Sequence, residues 1–128
     1  MSRSFARGAF TGELSQDLLF PFPSMGPDEA EVVQMLRESI RKYAAEHIDD
    51  ARIDAEGAIP RQVLDTLAGL GVMGIIIPPE YGGSGLSVTA YCKVLEEISR
   101  HSAAVAVTVG AHQSVSYTHL TLPTNREV

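Results

Sequence analysis

The sequence predicts one predominantly α-helical domain, and three observations support this. Three segments repeat apolar residues at steps of three and four, which places them on one face of a helix. Proline, serine or acidic residues precede or begin these segments, as expected of helix starts. The 128 residues, 45% of them hydrophobic, are enough for one modest core and too few for two domains.

Residues 1–26 show no helical period and are predicted to form an extended N-terminal arm. All four phenylalanines of the chain lie in it, at Phe5, Phe10, Phe20 and Phe22, with glycines and prolines between them. The arm is either a mobile terminus or a segment that docks its aromatic rings on another surface. The density of aromatic residues favours docking.

The first long helix is predicted to begin at Pro27 and to end near Ile48. Proline suits the first helical position, and Asp28 and Glu29 favour the positive end of the helix dipole. The apolar stripe consists of Val32, Val33, Leu36, Ile40, Tyr43, Ala44 and Ile48. Asp49 and Asp50 oppose the dipole at a C-terminus, so the helix should not run far beyond them.

A second, short helix is predicted from Pro60 to Leu70, with Gly71 as the residue that ends it. Its apolar stripe is Val63, Leu64, Leu67 and Leu70. The run from residue 72 to residue 77 is apolar and short, and on its own could be a buried strand. Two prolines, at positions 78 and 79, end it.

A third helix is predicted over residues 87–100, with Ser87 as its N-cap. Because this helix and the helix over 28–48 each carry an apolar stripe, both are expected to need a covering surface. Ser102 could cap a fourth helix. The residues that follow it alternate valine with alanine or threonine, a pattern that fits a strand and a helix equally well.

Composition and charge exclude several classes of function. The net charge of −6 makes nucleic acid a poor partner, because an acidic surface repels phosphates. The single Cys92 excludes a disulfide framework within the chain, and no two histidines have the spacing of a zinc helix. No apolar run is long enough for a membrane helix, and the first residues lack a secretory signal, so a cytoplasmic location is expected.

The residues alone do not define a catalytic centre. The glycine-rich loop over 82–85 lacks the lysine of a phosphate-binding loop, and a structural role is the better interpretation. Glu96 and Glu97 lie beside Lys93 and Arg100, which predicts a solvated, salt-bridged helix face. No nucleophile is paired with a base, and no metal site is predicted.

The order of several motifs resembles the N-terminal domain of the acyl-CoA dehydrogenase family. These motifs are Leu-Gly-Val-Met-Gly at 70–74, Pro-Glu-Tyr-Gly-Gly-Ser-Gly-Leu at 79–86 and Leu-Glu-Glu-Ile-Ser-Arg at 95–100. Residues 4–23 and 108–114 are most similar to the very-long-chain members. The resemblance implies an all-α fold of about four helices plus the N-terminal arm, and it makes the valine-rich segment helical. The domain is then expected to cover residues 27–114.

Residues 115–128 do not continue this resemblance. Their sequence is similar to the translation of a transposase sequencing adapter. We therefore expect them to be a non-native read-through tail on a truncated chain, although a genuine divergent tail is the alternative.

The resemblance also implies a function for the parent protein. It would be an FAD-dependent oxidoreductase of fatty acid β-oxidation that dehydrogenates long- or very-long-chain acyl-CoA and passes electrons to an electron-transferring flavoprotein. It would be a homo-oligomer, bacterial and cytoplasmic or else mitochondrial. The catalytic glutamate and most of the FAD site would lie downstream, so this chain alone is expected to be inactive.

The small residues of the fourth helix are the candidate site in this chain. Ala106 and Gly110 are expected to face the acyl tail, although close packing between helices would also explain them. Two alternatives remain for the function. One is a non-enzymatic helical interaction module, and the other is an acyl-CoA oxidase or flavin mono-oxygenase of the same superfamily.

Overall fold

The computed structural model describes residues 4–122, which form six α-helices and no strand. The helices are α1 (Phe5–Phe10), α2 (Pro27–His47), α3 (Asp50–Glu56), α4 (Arg61–Gly69), α5 (Val88–Ser99) and α6 (Ala103–Thr121). Single 3₁₀ turns lie at Gln16–Leu18, Val72–Gly74 and Pro79–Tyr81. The predicted all-α fold is confirmed.

The core lies where α5 packs between α2 and α6. Ile40 of α2, Val94 and Ile98 of α5, and Val105 and Val109 of α6 are all fully buried there. The apolar stripes of α2 and α5 therefore cover each other in large part, although Val32 of the α2 stripe stays 49% exposed. The covering surface expected for each helix is thus supplied partly by the other helix, and cover from outside the chain stays a prediction.

The ends of the main helices follow the predicted signals. Pro27 is the first residue of α2, and Gly71, after α4, adopts a left-handed conformation with φ of 80°. The hydroxyl oxygen of Ser87 accepts a hydrogen bond from the amide of Ala90, and that of Ser102 accepts one from Val105. The valine-rich segment is helical, as the resemblance implied.

The N-terminal arm differs from its predicted extended form, because residues 5–10 make the short helix α1. Ser4 caps this helix by accepting a hydrogen bond from the amide of Arg7, and six residues are too few to show a clear period. Phe10, Phe20 and Phe22 are exposed, and the rings of the last two lie 4.5 Å apart. Docking of the arm stays a prediction.

Helix α3 was not predicted. The carboxylate of Asp49 accepts a hydrogen bond from the amide of Arg52 at 3.0 Å and so begins a new helix directly after α2. Gly57, with φ of 64°, ends it. The aspartates at positions 49 and 50 do mark the end of α2, but they also start the next element.

The apolar run over 72–77 is a turn and not a strand. Its carbonyl oxygens accept hydrogen bonds from the glycine-rich loop, from the amide of Leu86 to Ile75 and from that of Gly85 to Ile77, both at 2.8 Å. The run and the loop thus fold against each other and form the connection between α4 and α5. None of the helices over residues 4–122 is long and apolar enough to cross a bilayer.

Candidate functional site

An open apolar groove of about 690 Å³ lies between α5 and α6. Its lining residues are Cys92, Leu95, Glu96, Ser99, Ala106, Val107, Gly110, Ala111 and Ser114. Both residues of the predicted site, Ala106 and Gly110, therefore belong to one concave surface. A groove of this shape and polarity can hold a hydrocarbon chain, because it offers apolar contact along a helix without a hydrogen-bonding partner at its centre.

The groove exists because α6 turns its large and small residues to different sides. Val105 and Val109 are fully buried against the core, whereas Val107 is 70% exposed. Ala106 and Gly110, one helical turn apart, lie between these two faces and carry little bulk. The small residues leave the space that a larger side chain would fill.

Tyr91 lies beside Gly110, one of the residues that line the groove. A Cβ atom at position 110 would lie 3.2 Å from the Tyr91 hydroxyl oxygen and 3.8 Å from Cδ2 of Leu95. The tyrosine oxygen thus occupies space that any side chain at this position would need. Burial raises the pKa of the Tyr91 phenol, so the hydroxyl stays protonated. Reasoning from the sequence missed this residue, although its helical spacing from Leu95 was visible.

Glu97, next to the groove residue Glu96 on α5, connects α5 to α2. Its carboxylate is buried and accepts hydrogen bonds from Arg41 at 3.0 Å and from Arg37 at 3.0 and 3.2 Å. The hydrogen bond from Arg41, opposed by burial and aided by Arg37, lowers the pKa of Glu97 to about 2. The carboxylate is therefore ionised at all physiological pH values.

The predicted solvated face is correct for Glu96 and wrong for Glu97. Glu96 pairs with Arg100 at 2.8 Å on the surface, as the spacing within the helix indicated. Glu97 points the other way, toward two arginines of α2. Arg37 and Arg41 are four residues apart on α2, and this spacing was the signal that could have identified them.

His101 completes this polar cluster. Its Nε2 atom is buried, has no hydrogen-bond partner among the described residues and lies 3.8 Å from Oε1 of Glu97. The imidazole and the carboxylate form an ion pair only when the histidine is protonated. No group of three or more histidine, cysteine or acidic residues within positions 4–122 could hold a metal ion.

Gln113 fixes α6 against the turn that precedes the glycine-rich loop. Its fully buried amide donates a hydrogen bond to the carbonyl of Val72 at 2.8 Å and accepts one from the amide of Ile76 at 3.3 Å. Both polar ends of the side chain are thus satisfied in the interior. These two hydrogen bonds fix the position of α6 relative to the turn over residues 72–77. No local sequence pattern indicates this contact, because the partners of Gln113 are backbone groups.

A second cavity of about 630 Å³ lies under the glycine-rich loop. The loop contributes residues 82–84 to its lining, Tyr81 lines it just before the loop, and α6 contributes His112, Ser116, His119 and Leu120. Among residues 4–122, neither lysine nor arginine lines it. That the loop is structural and not a phosphate cradle stays a prediction.

Comparison with known proteins places the chain. A sequence profile described as "Acyl-CoA dehydrogenase, N-terminal domain" matches residues 30–127. The chain is 38% identical over 117 residues to the mitochondrial very long-chain specific acyl-CoA dehydrogenase of Mus musculus, and 35% identical to that of Homo sapiens. It is 31% identical over 112 residues to the probable acyl-CoA dehydrogenase FadE10 of Mycobacterium bovis.

These matches cover most of this chain and a small part of each relative. They include 91% of the chain for the two mammalian proteins and 88% for the mycobacterial one, but only 18% and 17% of the relatives' lengths. The profile match extends into residues 115–127, so the non-native origin of that segment stays a prediction. The profile covers well over half of the sequence and describes the same helical domain. The chain therefore belongs to the acyl-CoA dehydrogenase family.

Proposed function

We propose that the chain is the N-terminal helical domain of an FAD-dependent acyl-CoA dehydrogenase. The parent enzyme would introduce a double bond between the α and β carbons of a long- or very-long-chain fatty acyl-CoA, as a step of fatty acid β-oxidation. One observation carries the proposal. In a chain of this family, an apolar groove lies along α6 at the two residues expected to face the acyl tail, Ala106 and Gly110.

The groove suits the tail of such a substrate and not its reacting end. Each methylene group transferred from water to an apolar surface contributes ~0.8 kcal/mol, so a long tail gains most from an extended groove. The exposed Val107 and the half-open shape leave one side of the tail to be covered by another part of the parent protein. The role of this chain is then to hold the tail and to exclude water from it.

The residues that line the groove do not fit FAD. Its pyrophosphate calls for cationic side chains or free backbone amides, and its ring for stacking and hydrogen-bonding groups. Within residues 4–122, Glu96 is the only charged residue that lines the groove, and it would repel a pyrophosphate. We therefore assign no flavin contact and no proton or hydride transfer to these residues. Under the proposal, FAD and the catalytic base are held by other parts of the parent protein.

The remaining parts of the proposal concern partners and location. Electrons would pass to an electron-transferring flavoprotein, and the complete enzyme would be a homo-oligomer. The relatives named as mitochondrial are mammalian, and the probable dehydrogenase FadE10 is bacterial. The location would accordingly be mitochondrial in a eukaryotic source and cytoplasmic in a bacterial one.

The test is to sequence the native gene beyond codon 114, express the protein that it encodes and purify it with FAD. We expect a yellow protein that converts palmitoyl-CoA to the 2,3-enoyl product when electron-transferring flavoprotein or a dye is supplied. The 128-residue chain, purified in parallel, is expected to bind no FAD and to form no product. A colourless native protein without enoyl-CoA formation would contradict the proposal. Formation of hydrogen peroxide at the same rate as product would instead indicate an oxidase.

A further inference from the structure

We propose that Tyr91 is a specificity-determining residue, which sets how closely an acyl chain can approach α6 at Gly110. The inference rests on the proposed function, since it concerns the groove that would hold the acyl tail. It adds a residue that does not itself belong to the small-residue surface of α6.

The geometry at Gly110 supports this role. The hydroxyl oxygen of Tyr91 lies 3.2 Å from the position of a Cβ atom on Gly110, closer than most such contacts in proteins. Leu95, one turn further along α5, lies 3.8 Å from the same position and also lines the groove. The absence of a side chain on Gly110 thus leaves room for the phenol of Tyr91, which lies beside this groove-lining residue.

The chemistry of the phenol explains why it would stop a hydrocarbon. Tyr91 is partly buried, and no hydrogen bond joins its hydroxyl to another of residues 4–122. An acyl chain that packed against this hydroxyl would shield it from solvent and supply no hydrogen bond in return. The end of the acyl chain is therefore held away from the space beside Gly110. Without the Tyr91 hydroxyl, that space would accept apolar atoms.

Two substitutions test the two sides of this contact in the parent enzyme. Tyr91→Phe removes one oxygen and keeps the ring, so it should favour longer chains. Each additional methylene that is accepted is worth about four-fold in kcat/KM. Gly110→Ala adds a methyl group at 3.2 Å from the hydroxyl and should push the phenol into the groove, which lowers kcat/KM for the longest chains by a similar factor.

The double variant distinguishes this contact from a general effect on helix packing. In Tyr91→Phe/Gly110→Ala, the atom that the new methyl group meets is gone, so the loss caused by Gly110→Ala should be largely reversed. Tyr43→Phe is the matched control. The Tyr43 hydroxyl lies 3.5 Å from the carbonyl of Gln62, away from the groove, and its loss should leave the ratio of long- to short-chain activity unchanged.

The experiment measures kcat/KM for saturated acyl-CoAs from 8 to about 22 carbons, and dissociation constants for the same series by calorimetry. A shift of about four-fold in the long-to-short ratio for Tyr91→Phe, with rescue in the double variant, supports the proposal. Equal changes at every length, or no rescue, would overturn it. If the wild-type enzyme showed length-dependent binding while Tyr91→Phe had no effect, only this inference would fail. If no acyl-CoA bound at any length, the proposed function would fail with it.

Discussion

Glu97 shows how the surroundings of a residue, and not its neighbours in sequence, decide its role. Its neighbour Glu96 has an ordinary surface pair with Arg100, whereas Glu97 is buried and held by Arg37 and Arg41 of another helix. Two adjacent residues on a helix lie about 100° apart, so they cannot share one environment. The sequence shows the charges, but only the packing of α5 on α2 assigns the partners.

Replacing Glu97 should therefore cost much more stability than replacing Glu96. Glu97→Gln removes the charge that two arginines bind in the interior, and we expect a loss of about 2–3 kcal/mol in the free energy of unfolding. Glu96→Gln is the matched control, and we expect it to change the free energy of unfolding far less, because its pair is exposed. Urea denaturation measures both. Similar losses for the two variants would contradict the assignment of Glu97.

The same residue predicts how stability depends on pH. Folding lowers the pKa of Glu97 from 4.5 to about 2, so between these values the unfolded state binds more protons than the folded state. The contribution of Glu97 is fully present above pH 4.5 and is lost as the pH falls toward 2. The difference in stability between the wild type and Glu97→Gln should shrink over that range. A difference that stayed constant down to pH 2 would be evidence against the lowered pKa.

Helices with an apolar stripe and a terminal signal could be predicted from the sequence. The bounds of α2, α4 and α5 follow from Pro27, Gly71 and Ser87, which act locally. The helix α3 and the turn over 72–77 could not be predicted in this way. Asp49 ends one helix and starts the next, and the apolar turn is shaped by hydrogen bonds to a loop further along the chain.

The candidate site was predictable only in part. The small residues of α6 were visible in the sequence, and the structure places Ala106 and Gly110 in one groove. The roles of Tyr91, Glu97 and Gln113 were not predicted, because each acts through a contact with another element of the fold. Such contacts depend on how helices pack, and a local pattern does not record them.

The glycine-rich loop offers a test at the level of a single element. A Cβ atom on Gly83 would overlap the carbonyl oxygen of Ile77, so the loop could not close on the turn. We expect Gly83→Ala to destabilise the fold by ~1–3 kcal/mol or more, since the neighbouring atoms are backbone. Gly69→Ala is the control. Gly69 lies in α4 with open space around it, and alanine there should be neutral or stabilising by up to ~1 kcal/mol.

Thermal or urea unfolding of the two glycine variants separates a steric requirement from a general effect of alanine. If Gly83→Ala were as stable as the wild type, the close approach of the loop to residue 77 would be wrong. Loss of stability in Gly69→Ala would show that the end of α4, and not only the loop, is sensitive to an added methyl group.

At the scale of the whole molecule, the helical layers form one core and leave one groove open. The helices α2, α5 and α6 bury their large apolar residues against each other, while small residues of α6 line the groove. Ala106 is only 6% exposed, and the Tyr91 hydroxyl lies beside Gly110, so the groove lies over residues of little bulk and not over empty core positions. The open groove is therefore the feature that links this packing to the proposed binding of an acyl tail.

The acyl groove is tested most directly by the dependence of kcat/KM on acyl chain length in the parent enzyme after Ala106→Gln or Gly110→Glu. Either long polar side chain should block the groove, and each methylene that is no longer bound should cost ~0.8 kcal/mol. We expect a loss confined to long acyl-CoAs, with short substrates spared because they do not reach the block. An equal loss at every chain length would show that the two residues serve helix packing, and the groove would not be the acyl site.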